Sequence, residues 1–335
     1  MRGMNLHLVI PHADWPDHAT RAAIVKVLAA PALNRLLGRG AARRSAPATP
    51  HAVLARDFAV AELAVAPLTL QLDAPAEEAG YWLRADPVHL RPDRDQLVML
   101  DSRAFELTQA EADGLCDGLN HIFAEDGFRF LAATPYRWYL RLPADPHLLF
   151  TPFDDALGRD IDSLLPQGAT ALRWHKLLNE MQMCMYGHKV NDARVAAGKT
   201  AVNSVWPWGG GMFPPAARAV APQARVYADD AVLAALTQMA GAAVQPLPAS
   251  IADVQQDAYV LLPQLRSGAL YGDAQAWYAG WQQLETDWLA PALAMLQSGR
   301  LASLRLSFPE LGRDVTVTKG QLWHFWRGNR WPWEI

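Results

Sequence analysis

Cysteine is scarce: two residues, Cys116 and Cys184, in a chain of 335. That number builds no disulfide framework and points to a reducing compartment. Charge is also sparse, at 19% of residues with a net charge of −4, so the basic footprint of a nucleic-acid or anionic-membrane binder is missing. No apolar run approaches membrane-spanning length, and the apolar start Leu6–Pro11 is too short for a secretory segment. The expectation is a cytoplasmic protein with neither nucleic acid nor membrane as partner. What is abundant is apolar side chain, 51% of the sequence, enough for a sizeable core arranged as one large domain with a smaller one.

The pattern of residues predicts a buried first strand over 5–10, helices over 20–28 and 32–37, and a surface loop over 41–50 rich in Ala, Pro and Arg. An apolar helix-like stretch over 53–63 and a strand over 67–72 follow. Strands at 96–100 and 128–132 flank a helix from Thr108 to Phe123, where Thr108 and Glu111 have capping-box spacing. With residues 136–142 this reads as a small α+β insertion. Afterwards helices at 168–185, 230–241 and 273–296 alternate with strands at 226–227, 257–262 and 301–306, predicting a largely parallel, helix-covered sheet.

Lys189–Pro214 is the stretch richest in unusual chemistry. A short helix over 191–197 stops at Gly198, a β-type run covers 201–204, and Trp206, Pro207 and Trp208 precede three glycines. Glycines at such a place let the backbone approach a ligand or form an anion-binding nest; the alternative is a tryptophan-anchored packing turn. Four polar residues in the turn after the first strand, His12, Asp14, Asp17 and His18, have the chemistry to bind Zn²⁺ or Mn²⁺ with a distant ligand, against the plainer reading of a polar turn with Asp17 as helix cap. The tail, 321–335, sets Trp323, Phe325, Trp326, Trp331 and Trp333 among Arg327 and Arg330. It is expected to bury rings on the core, with a partner-docking patch as the alternative.

Val190, Asn191, Arg194, Gly198, Lys199, Asn203, Trp206, Trp208, Gly209 and Gly211 resemble at fixed spacing a segment of the archaeal-type cofactor-independent phosphoglycerate mutases, a branch of the alkaline phosphatase superfamily. The resemblance implies an α/β fold with an alkaline-phosphatase-like, mostly parallel sheet covered by helices over residues 1–78 and 160–335. A smaller α+β substrate-type domain is inserted at 79–159. In that insertion Arg84, Arg137, Asp145 and His147 stand at the family's aromatic-arginine, tyrosine-arginine and Asp-Pro-His motifs, and guanidinium groups suit a phosphate or carboxylate. They join Asn191, Arg194, Asn203, Trp206, Trp208, Gly209, Gly211 and Arg266 as candidate ligand-binding residues.

Departures from the family are as informative. Its first strand ends in a metal-binding aspartate, whereas here the strand ends Pro11-His12-Ala13-Asp14. The nucleophile region holds Ser45 and Thr49 without the glycine-serine-aspartate setting. Arg266 and Leu270 stand at the ligand segment after strand 257–262, and Ser307-Phe308-Pro309-Glu310 replaces an Asp-His pair. The resemblance therefore implies a degenerate relative, a pseudoenzyme with no cofactor and no catalytic residue, of the kind catalogued as RpfE-type regulatory proteins. Such a protein would bind a small anionic, phosphorylated or carboxylated metabolite or a protein partner. The alternative is a metal-dependent phosphomutase or phosphohydrolase with a rebuilt centre.

Overall fold

The computed structural model describes residues 3–324 and 326–335; Phe325 of the tail lies outside the described residues. In chain order the strands are β1 (Met4–Val9), β2 (Ala41–Arg44), β3 (Gly80–Asp93), β4 (Gln96–Leu100), β5 (Arg129–Thr134), β6 (Arg137–Leu142), β7 (Ser204–Phe213), β8 (Arg225–Tyr227), β9 (Val244–Gln245), β10 (Ala258–Leu261), β11 (Leu301–Phe308) and β12 (Arg313–Thr318). The helices are α1 (His18–Val27), α2 (Pro31–Arg39), α3 (Pro50–Asp57), α4 (Val65–Asp73), α5 (Gln109–Phe123), α6 (Phe153–Ala156), α7 (Ala171–Tyr186), α8 (Lys189–Ala196), α9 (Ala231–Met239), α10 (Arg266–Leu270), α11 (Ala274–Leu284) and α12 (Ala290–Ser298). They divide into two compact units, residues 3–61 with 218–335, and Glu62–Ala217. The second unit is wider than the expected insertion at 79–159, because α4 and β7 pack on β3 inside it.

The first unit carries a seven-stranded sheet in the order β2-β12-β11-β1-β10-β8-β9. The pairs from β11 through β9 are parallel, and β12 and β2 close one side antiparallel. Alternation along each strand sends Leu6 and Leu8, Val260, Leu304 and Leu306, and Val315 and Val317 to one face, where Trp277, Trp281 and Trp288 bury completely. The helix expected over 273–296 is one run interrupted by a π-turn at Glu285–Leu289. That turn has a visible role: α2 has no side-chain cap of its own, and Glu285 accepts from Ala32 N at 2.7 Å and Leu33 N at 3.0 Å. A carboxylate there satisfies two orphan donors and complements the helix dipole.

The loop expected at 41–50 is instead the exposed edge strand β2, paired with β12 from Arg313↔Arg44 to Thr316↔Ala41, followed by the start of α3. Two arginines on an exposed four-residue edge disfavour pairing with another chain. β12 therefore lies inside the sheet, between β2 and β11.

The second unit is built on β3, whose first half pairs with β6 and β7 and whose second half pairs with β4, all antiparallel; β5 adds outside β6. Helices α5 and α7 cover one face, burying Leu115, Leu119, Trp174 and Met181 against Leu83, Trp138 and Leu140. The Thr108–Glu111 capping box forms as the spacing predicts. Residues 67–72, expected as a strand, are helical in α4, where the run from Val65 to Leu70 is buried on every side and so shows no amphipathic stripe.

Candidate functional site

Every candidate ligand residue except Arg266 falls in the second unit. Trp206–Gly211 is no loop but the body of β7, antiparallel to β3. The glycines are there for packing: a Cβ on Gly211 would lie 2.5 Å from the Cβ of Ala64, and one on Gly209, at φ +63°, 2.9 Å from the Cβ of Val65. α4 thus lies against bare backbone, which only glycine allows. Trp206 buries its ring and donates Nε1 to Thr151 O at 3.0 Å.

Arg84 and Asp86, two apart on β3, point to the same face and are 5% and 3% exposed. The guanidinium donates to Asp86 Oδ1 through Nε at 3.0 Å and Nη2 at 2.5 Å, with its carbon 5.4 Å from the Tyr139 ring and 5.5 Å from the Trp208 ring. Trp208 Nε1 donates to Asp86 Oδ2 at 2.7 Å. Burial lifts Asp86 above the ordinary carboxylate range, against the opposing pull of Arg84 and the Trp208 N–H. Arg137 forms a two-pronged pair with Asp73 at 2.6 and 2.7 Å, and Tyr139 OH adds a third donor at 2.7 Å.

The remaining motif residues are staples. Arg194, 2% exposed, donates to Glu111 Oε1, Glu106 O and Thr200 O at 2.7–3.0 Å. Asn191 spans Met185 O and both backbone groups of Val202. Asn203 mimics a strand neighbour, accepting from Leu90 N at 2.7 Å and donating to Leu90 O at 2.9 Å. Asp145 accepts from His147 N at 2.7 Å, in an open turn where His147 takes φ +52°. Most polar donors that sequence reading offered to an anion are therefore spent inside the unit, and the R-x-D spacing of Arg84 and Asp86 was the available signal.

The first unit holds a polar cluster that sequence reasoning missed. On the sheet face opposite the tryptophans, His7 of β1 and Ser307 of β11 stand 2.7 Å apart, Nε2 to Oγ. The Ser307 hydroxyl donates to Asp314 of β12, which also accepts from Arg305 Nη2 at 3.1 Å. With its only proton given to Asp314, Ser307 accepts from His7, so His7 carries its hydrogen on Nε2 and is no base for this serine. Burial, then the Arg305 charge, lowers the His7 pKa to about 3. Burial alone would raise Asp314, but the Ser307 hydroxyl and Arg305 hold it below its usual range. Tyr259 closes the cluster edge-on to His7 at 4.8 Å and donates to Asp57 Oδ2 at 3.1 Å. Alternating His7, Ser307 and Arg305 among apolar neighbours was the missed signal.

The positions at which resemblance implies two metals do not fit them. Arg266 and Leu270 sit on α10, one a permanent cation and one apolar, neither able to ligate a divalent ion. Ser307 is engaged as above, and Glu310 accepts from His12 N at 2.8 Å. In the turn after β1, Asp14 is taken by Trp15 N and Arg21, His18 faces the same guanidinium at 2.7 Å, and Asp17 caps α1. Among the described residues no three His, Cys, Asp or Glu side chains converge on a metal position. Of the nucleophile candidates, Thr49 caps α3 and Ser45 is exposed beside a shallow recess it shares with Arg56, Ser307 and Arg313.

Residues 71–191, inside the second unit, match the family model described as 2,3-bisphosphoglycerate-independent phosphoglycerate mutase. A probable enzyme of that name from Geobacter sulfurreducens is 32% identical over 138 residues, covering 41% of this chain and 34% of its own. One from Methanosarcina mazei is 31% identical over 150 residues, covering 42% and 37%. The match thus spans little more than a third of these relatives' length. A solved structure, the PH0037 protein from Pyrococcus horikoshii, aligns over 95% of this chain and 88% of that one at a TM-score of 0.50 and 10% identity, which is a likeness of fold. Over residues 71–191, within its second unit, this chain is phosphoglycerate-mutase-like, similar to the 2,3-bisphosphoglycerate-independent enzymes.

Proposed function

We propose that this phosphoglycerate-mutase-like chain does not carry out metal-assisted phosphoryl transfer and acts as a ligand-binding regulatory protein. One observation carries the reading. The residues standing at the implied metal positions are chemically unsuited or already engaged: Arg266 is a fixed cation, Leu270 is apolar, the Ser307 hydroxyl is given to Asp314, and Glu310 accepts from His12 N. A two-metal transfer needs ligands that accept cations and a hydroxyl free to attack. The second unit keeps the relatives' motif residues as an internal scaffold, which supports retention of architecture with loss of chemistry.

The test is a mutase and phosphomonoesterase assay of the full chain with Mn²⁺, Mg²⁺, Zn²⁺ or Co²⁺ supplied, beside metal analysis of the purified protein. No turnover above a metal-only blank is expected. Turnover abolished by Ser45→Ala or Thr49→Val would overturn the reading in favour of a rebuilt metal centre.

A further inference from the structure

The tail of the first unit builds a recess that none of the family resemblance uses. Residues 320–324 and 326–335 return across the end of α2 and are tied there. Arg39 Nη1 donates to Leu322 O at 2.5 Å, and Arg330 N donates to Asn34 O at 3.3 Å. Arg327 Nη1 reaches Gly40 O at 3.4 Å. Gly38 makes the approach possible, since a Cβ there would lie 2.0 Å from Gly328 O. Ile335 is 1% exposed, and Trp331 and Trp333 stack at 5.5 Å against the core, so the recess has an anchored wall.

Between this wall and the start of β2 lies an open volume of about 480 Å³, within the range of small-ligand sites. Gly38, Gly40, Ala41 and Ala42 form one side and leave the space unfilled, while His324, Arg327 and Arg330 stand on the other. Among the described residues no carboxylate lines it. Two guanidinium groups there offer paired donors to oxyanions, and the His324 ring stands beside them.

We propose that this recess binds a small anion, the phosphate or carboxylate group of a metabolite, through Arg327, Arg330 and His324. The proposal gives the ligand-binding half of the functional reading its site and rests on that reading. The two fail separately, because mutase turnover overturns the loss of chemistry and absence of anion binding overturns this site.

Calorimetric titration of the full chain with inorganic phosphate, and separately with citrate, at about 0.15 M salt to damp non-specific attraction, tests it. Binding with a dissociation constant of about 1 mM or tighter is expected for at least one anion, and which one binds identifies phosphate or carboxylate as the ligand chemistry. Arg327→Gln with Arg330→Gln should weaken that binding at least tenfold, and His324→Gln by a smaller factor. If the double variant unfolds, Arg327→Lys with Arg330→Lys keeps the charge, loses the paired donors, and should still weaken binding several-fold. Neither anion binding up to about 20 mM, an order of magnitude beyond that constant, or equal binding by wild type and variants, would overturn the site.

Discussion

His7 offers a stability measurement whose sign and size follow from its surroundings. Its ring is 7% exposed, and burial with the nearby Arg305 charge lowers its pKa from 6.5 to about 3. In the unfolded chain the imidazole takes up a proton below pH 6.5, while in the folded chain it refuses one until about pH 3. The unfolded state therefore binds more protons throughout that window, so stability falls as pH falls. Above pH 6.5 the group has no effect. At about 1.4 kcal/mol per pH unit, the two units from pH 6.5 to 4.5 remove roughly 2.7 kcal/mol through this residue alone. His89 and His188, also lowered by burial, add losses of the same sign, so the comparison must be with a variant. His7→Gln keeps an N–H for Ser307 and cannot titrate. Urea unfolding at pH 7.0, 6.0, 5.0 and 4.5, with the first unit followed by hydrogen exchange of β1 and β11, should show wild type losing about 2–3 kcal/mol more than the variant. Equal slopes for the two proteins would refute a neutral, buried His7 donating to Ser307.

Two substitutions in the second unit test its scaffold. Gly211→Val drives a side chain into Ala64, whose Cβ would sit 2.5 Å from the new one; a loss of about 3 kcal/mol or more is expected in chemical denaturation, and a loss under 1 kcal/mol would mean α4 does not rest on β7. Arg194→Met removes a 2% exposed guanidinium and strands Glu106 O, Thr200 O and one oxygen of Glu111. That should lower stability by about 3–5 kcal/mol, and a fully stable variant would show that the staple is dispensable.

Elements whose local signals agree with their surroundings were legible in the residues. The Thr108–Glu111 box formed as spacing required, and Ala258–Leu261, flanked by two parallel neighbours, is the apolar run such a strand needs. The failures have physical causes. α4 is buried on every side, which erases the 3.6-residue period. β7 reads as a loop because Pro207 and three glycines discourage a strand, and only the flanking β3 and α4 supply the pairing and contact that override local preference. Motif residues such as Arg194 and Asn203 are identifiable by spacing, but whether a guanidinium or amide faces a ligand or a backbone carbonyl depends on partners 83 to 113 positions away.

The contact of Ala64 and Val65 with Gly211 and Gly209 lies where the chain enters and leaves the Glu62–Ala217 unit. The two ends are therefore clasped at a neck. For the surrounding unit, the excursion behaves as a loop of about ten residues rather than one of more than 150, which by the logarithmic dependence of closure entropy spares about 2 kcal/mol. An excursion clasped in this way can change length at its far side while its host continues to fold as though only a short turn had been inserted.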